Sequence, residues 1–351
     1  MRDVAIVSFA QLPIQSAYED RNEIELVAPV ICEAVDGAGI DRRAIDFTCS
    51  GSCDYLIGRP FSFVAAVDGI GAWPPIEESH LEMDGAWAVY EAWIRLQHGD
   101  IDSALVYAFG QASLGRLNEV LIQQLDPYYL APLGPDHVSL AALQAQALMD
   151  AKRCDESMMA AVVSRNRKAG LSNPFAQIRE EISEAAYGVA PHHIGPLRAP
   201  DCAPVSDGAA AMVLMAGDRA RALCENPVWI RGMDHRVDAH HLGMRTLTEL
   251  PSLKAAARKA NLDASRVELA ELHSSFSYQE ILLKTALGLG DNTEINPSGG
   301  PLCGDPTMVT GLTRIGEAAQ RLMRGDAKYG LAHAASGPCL QQNLICTLEV
   351  D

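Results

Sequence analysis

Apolar residues in this chain fall into short β-like runs that alternate with stretches of helical period. The run DVAIVSFA at 3–10 predicts a strand, and after a polar loop apolar positions recur at helical spacing over 24–38, closed by Gly39. The rhythm returns further on. DFTCSGS predicts a short strand entering a Gly/Ser loop, 85–97 a helix closed by Gly99, and SALVYAFG a buried strand. Between 117 and 200 the alternation breaks: the stretch is rich in Pro and loop signals, has helical period around 138–169, and reads as an inserted subdomain. Beyond it VSDGAAAMVLMAG predicts a Gly/Ala turn feeding an apolar strand. VWIRGMDH, VELAELHSS, GLAHAASG and LICTLEV follow as strands, with helices over 246–260, 276–289 and 308–324. Two strand–helix series around an irregular stretch predict an α/β fold built by internal duplication, with a first half at 1–116 and 201–222, an insertion at 117–200 and a second half at 223–351.

Charge and cysteine content narrow the function classes. The 351 residues carry 45 acidic against 28 basic side chains, a formal charge of −17, and no Lys/Arg run able to track a phosphate backbone, so nucleic acid is not an expected partner. No apolar run approaches the ~20 residues needed to span a bilayer. MRDVAIVSFA places charges directly before a β-like run rather than a signal peptide, and the expected location is cytoplasmic. Nine cysteines at irregular spacing read as reduced thiols rather than a disulfide framework. Cys49 and Cys53 have no second pair at ligand spacing, and the pairs His192/His193 and His240/His241 sit in loop-like contexts, so no metal site is expected.

Four stretches resemble the thiolase superfamily. SHLEMDGAWAVYEAWIRLQHGDIDSALVYAFG is similar to its nucleophile helix and following strand, VSDGAAAMVLM to the strand closing the first half, ELHSSFSYQE to a histidine loop, and NPSGGPLCGDPTMVTGLTRIGEAAQRL to the Gly-rich loop and helix. The resemblance covers nearly the whole chain and is greatest to the lipid-transfer-protein branch, relatives of sterol-carrier-protein thiolases. It implies a duplicated thiolase fold layered α-β-α-β-α and a homodimer or paralogue heterodimer. It also implies an acyl-CoA substrate, with CoA entering as part of that substrate and no covalently bound cofactor, and a partner protein with an OB fold and a zinc ribbon.

A thiolase of this type needs a Cys nucleophile at a helix N-terminus, a His that activates it, and a second Cys that moves an α-proton. In this sequence the nucleophile position, three residues before Gly85, holds Glu82; the His of the Gly-rich loop is Asp305, in GDP; the second Cys is Ser275, in HSSF; His273 alone is kept. With no thiolate in the motif positions, Claisen chemistry by the usual route is disfavoured. The remaining groups suit retro-aldol cleavage of a β-hydroxyacyl-CoA, such as a sterol side-chain thioester, which needs no covalent intermediate. The alternatives are a non-catalytic subunit that pairs with an active paralogue and an acyl-CoA or lipid carrier.

Each candidate has a structural reading beside the chemical one. Glu82 either lines the site or is a first-turn carboxylate, SHLEMD offering several alternative caps. His273 is expected to hold the thioester oxygen. Asp305 either caps the helix after Pro306 or transfers a proton, and apolar neighbours such as Leu302 and Met308 predict a raised pKa for it. Cys303 is a displaced thiol or a small hydrophobe. Tyr278 and Tyr55 offer phenols that packing would equally explain, and His333, in GLAHAASGP, is a candidate for the same cavity.

Overall fold

The computed structural model describes residues 2–351. Along the chain the strands are β1 (Val4–Gln11), β2 (Phe47–Gly51), β3 (Glu78–Leu81), β4 (Ser103–Gln111), the ribbon β5 (His192–Ile194) and β6 (Leu197–Arg198), then β7 (Val205–Ala216), β8 (Val228–Val237), β9 (Leu269–Leu272), β10 (Glu294–Ile295), β11 (Asp305–Pro306), β12 (Tyr329–Ser336) and β13 (Gln342–Glu349). The large sheet runs β10-β9-β12-β13-β8-β1-β7-β4-β2-β3, with β11 beside β7. Its two halves repeat one another. From its outer edge inward, each half lays down its third, second, fourth, fifth and first strand in chain order. The first three pairings from that edge are parallel, parallel and antiparallel, and the last is antiparallel. The half-sheets meet along β1 and β8 through the residue pairs Ala5↔Trp229 and Ile6↔Val228.

Equivalent helices from the two halves, Gly85–His98 and Thr310–Arg324, form a central layer. Trp87, Val89, Leu96, Leu312, Ile315 and Leu322 share one core with the inward faces of both half-sheets, so these helices are apolar on more than one side. The helix Glu23–Gly37 covers the outer face of the first half through Leu26, Val27, Val30 and Ile31, and Pro251–Lys259 and Ser277–Leu287 cover the second. The result is the expected α-β-α-β-α order. Where the central helix needs polar residues, they are paired: buried Arg314 meets buried Glu271, and Gln11 Nε2 donates to Glu317 at 2.6 Å.

Several local expectations change. SDGAAA is not a turn but the opening of the twelve-residue β7, buried from Ser206 onward, where small side chains let helices pack on both faces. The helical stretch at 138–169 is two helices, His137–Asp150 and Glu156–Gly170, the second started by Asp155 accepting from Met158 N. The short strands β3 and β10 and the helices Asp54–Ile57 and Ser62–Ile70 lie where polar alternation or Gly hid the pattern. Residues 112–204 contribute no strand to the large sheet. Among the described residues, no helix is long and apolar enough to cross a membrane.

Candidate active site

The loop after β9, the β11 turn, the loop after β12 and the N-terminus of helix Gly85–His98 converge on one cleft of about 190 Å³. His273, Ser275, Asp305 and Asp84 form its polar floor. The β9–β12 pairing continues one residue past the strand, His273 N donating to His333 O at 3.2 Å, and this fixes where the imidazole starts. Ala335 N donates to His273 Nδ1 at 3.2 Å. A neutral ring that accepts at Nδ1 carries its hydrogen on Nε2, and Nε2 faces Asp305 Oδ1 across 3.6 Å.

Asp305 is held on three sides. Thr310 Oγ1 donates to its Oδ1 at 2.6 Å, and its own N–H donates to Ser206 Oγ at 3.0 Å. Its carboxyl does not have the raised pKa expected from apolar neighbours. Burial does act upward and is the largest single influence, but the His273 imidazole, Ser275 and Thr310 together outweigh it and hold the group below the usual carboxylate value. Asp305 is therefore an ionised acceptor rather than a ready base. Strand β4 makes room for this turn with Gly110, its penultimate residue, where a Cβ would lie 1.9 Å from Thr307 O.

The carboxylate on the nucleophile helix is not the expected one. Glu82 lies outside the cleft, its side chain 45% exposed, accepting from Asp54 N at 2.6 Å and standing 3.5 Å from His80 Nε2. The helix begins three residues later, at Gly85, and its N-cap, buried Asp84, turns inward. Asp84 Oδ1 accepts from Ala86 N at 2.8 Å and Leu312 N at 3.1 Å, while Oδ2 accepts from Gly311 N at 2.8 Å. One carboxylate thus caps both central helices, each offering it the positive end of a dipole. Burial still pushes its carboxyl above the ordinary value, against the charge of His273 and the three N–H donors. The last free N–H of the first helix, on Gly85, donates to Met308 O at 2.9 Å, a carbonyl aimed there by a left-handed Met308 (φ 75°).

The remaining candidates do not reach the cleft. Cys303 is buried, donates to Asn166 O at 3.3 Å, and burial pushes its thiol up to about 11, as a small hydrophobe would behave. Tyr278 is fully buried with its OH donating to Gln144 Oε1 at 2.9 Å, and Tyr55 is 67% exposed on the short helix Asp54–Ile57. His333 stands behind the floor: wholly buried and hydrogen-bonded through Nε2 to Asn343 at 3.0 Å, it has a pKa lowered to about 3 by burial. Its contribution to the site is the backbone carbonyl under His273.

Sequence reasoning missed Asp84, Gln279 and His137, all of which line the cleft. Asp84 was one of several carboxylates ahead of the helix, and only the helix start distinguishes it from Glu82. His137 follows the N-cap Asp136 of an inserted helix, where no motif points to it. Leu117, Leu121, Leu125 and Leu140 make the upper wall apolar. Cys339 is the one thiol lining the cleft among the described residues; it donates to Leu140 O at 3.4 Å, and burial pushes it up to about 11.

No protein-family model matches the chain. It is 27% identical to an acetyl-CoA acetyltransferase of Methanocaldococcus jannaschii over 356 aligned residues, covering 90% of this chain and 89% of that protein. It is also 27% identical to human sterol carrier protein 2, over 86% of this chain but 63% of the relative. A solved Ltp2-ChsH2(DUF35) aldolase superposes with a TM-score of 0.82 at 19% identity, covering 99% of this chain and 98% of that one. Human mitochondrial 3-ketoacyl-CoA thiolase superposes at 0.76 and 16% identity over 100% and 99%. The structural likenesses establish that the chain has the thiolase fold, and its similarity to the acetyl-CoA acetyltransferase and to sterol carrier protein 2 runs over 90% and 86% of its length.

Proposed function

We propose that this protein is a carbon–carbon lyase that cleaves a β-hydroxyacyl-CoA by a retro-aldol reaction. The observation that carries the reading is the composition of the cleft, where His273, Ser275 and two carboxylates stand together and the one thiol, Cys339, is tied to Leu140 O with its pKa pushed up by burial. The 3.6 Å between His273 Nε2 and Asp305 Oδ1 is longer than a formed hydrogen bond and admits a competing substrate oxygen. A thioester oxygen placed there takes the Nε2–H and is stabilised as it becomes an enolate oxygen. Ionised Asp305 faces the Nε2 edge and keeps the ring oriented, and the ring stays neutral as it donates Nε2–H to that oxygen. The substrate loses its β-hydroxyl proton, the Cα–Cβ bond breaks, and the released acyl-CoA regains a proton at Cα. The leucine wall suits a bulky apolar acyl group, a sterol side chain among them.

Incubating the purified protein with β-hydroxyacyl-CoA thioesters tests this. Release of a carbonyl compound and a shortened acyl-CoA, insensitive to iodoacetamide, is the expected result; cleavage abolished by iodoacetamide would return the chemistry to a thiolate. A second reading rests on the absence of Lys and Arg among the residues lining the cleft. With no cation there for the phosphates of CoA, a further subunit supplies that surface, either an OB-fold/zinc-ribbon partner or a thiolase-like paralogue. Turnover that appears only when such a protein is added distinguishes it.

A further inference from the structure

We propose that His137 is the general base of the cleft, accepting the proton of the substrate's β-hydroxyl at Nε2. The inference rests on the retro-aldol reading and names the group that reading leaves open. Asp305 is poorly suited to the task, its carboxylate already accepting from Thr310 and its proton affinity lowered by His273, Ser275 and Thr310. His137 lines the same cleft, at the start of helix His137–Asp150 and beside Phe276, the ring centroids 6.0 Å apart, and near enough to Asp305 to feel its charge.

Its tautomer is set by a neighbour. His137 Nδ1 lies 2.7 Å from Asn118 Oδ1, on the short helix Leu117–Ile122, and an amide oxygen only accepts. Nδ1 therefore carries the hydrogen and Nε2 keeps its lone pair, the arrangement a base requires. Burial lowers the ring's pKa, opposed by the charges of Asp136 and Asp305 and reinforced by His193 on β5, so the ring is neutral at pH 7. In the reaction the O–H proton moves to Nε2 and the O–H pair becomes the new C=O. The Cα–Cβ pair moves into the enolate, and the imidazolium returns its proton to Cα. Atoms and charge balance without a further reactant.

The test is a pH profile of kcat/KM for cleavage of β-hydroxyacyl-CoA by wild type, His137→Gln and Asn118→Asp, each checked for folding by thermal melting. Wild type is expected to show an acidic limb below the free-histidine value. His137→Gln should lose that limb and about 10²–10⁴ in rate. Asn118→Asp should move the limb to higher pH, since a carboxylate on Nδ1–H favours the imidazolium. Cleavage by His137→Gln within a few-fold of wild type, limb intact, overturns the assignment. If wild type cleaves nothing, the retro-aldol reading falls, and 15N NMR of His137 decides the rest. A shift at Nε2 with a β-hydroxyacyl-CoA but not with its deoxy counterpart keeps the ring as hydroxyl acceptor, whereas equal shifts, no shifts, or an Nε2-protonated ring refute it.

Discussion

Asp84 of the first half accepts a hydrogen bond from Gly311 N of the second half at 2.8 Å, across 227 residues of sequence. Gly311 has to be glycine for this, because a Cβ there would lie 2.4 Å from Asp84 Oδ1. The equivalent helices of a duplicated fold share one cap, and the second helix, preceded by Val309, has no side-chain cap of its own.

Asp84→Ala should therefore cost the equivalent of two caps, roughly 1–4 kcal/mol at about 0.5–2 for each. Denaturant unfolding measures it. A loss below about 0.5 kcal/mol would mean that water or Met308 O replaces the carboxylate at both helices.

Replacing His273 by Ala should lower kcat/KM for β-hydroxyacyl-CoA cleavage by about 10²–10³, the usual cost of one oxyanion donor. Asp305→Asn should cost less, because it leaves a side-chain oxygen facing Nε2 that can still orient the ring. Equal losses would indicate that Asp305 itself takes the substrate proton.

Glu82→Gln is expected to leave both rate and substrate affinity unchanged, since Glu82 is half-exposed and engaged with Asp54 N outside the cleft. Steady-state kinetics decide this directly. A tenfold fall in kcat would restore Glu82 to the site.

His333 makes stability depend on acid. Its folded pKa, about 3, lies below the unfolded value of about 6.5, so below pH 6.5 the unfolded chain binds a proton the folded one refuses. Stability is complete above pH 6.5 and falls as pH drops towards 3. Over that window the unfolding free energy of His333→Gln should have a pH slope shallower than wild type by about 1.4 kcal/mol per pH unit. Identical slopes would mean that the ring is solvated in the native state.

The strand–helix rhythm made the duplication legible, because buried strands and amphipathic helices impose periods that survive without knowledge of the partner. His273, Ser275 and Asp305 were legible through motif resemblance. Their mutual geometry was not, since the groups that lower the Asp305 pKa, Thr310 and His273, reach it only through folding. Glu82 was misplaced because which carboxylate turns inward depends on the residue at which the helix starts. DGAAA was misread because small residues serve turns and doubly packed strands alike, and only the helices over β7 distinguish the two. His137 was invisible because its role depends on Asn118, a partner 19 residues earlier on another helix.

The position of β1 has a consequence for synthesis. This all-buried strand, VAIVSFAQ, pairs with β7 from Val4↔Ala216 onward and touches β8 at Trp229, so neither neighbour exists when it leaves the ribosome. At roughly 5–20 residues per second, some 10–40 s pass before β7 emerges, and during that time an apolar segment has two bare edges open to wrong pairing. The termini suggest a remedy. Arg231 stands within 3.8 Å of Asp3 and 3.6 Å of Asp351, so a short linker can join the ends. A circular permutant opened in the exposed stretch near 225 would then translate β8 through β13 first and deliver β1 with its β8 neighbour already made.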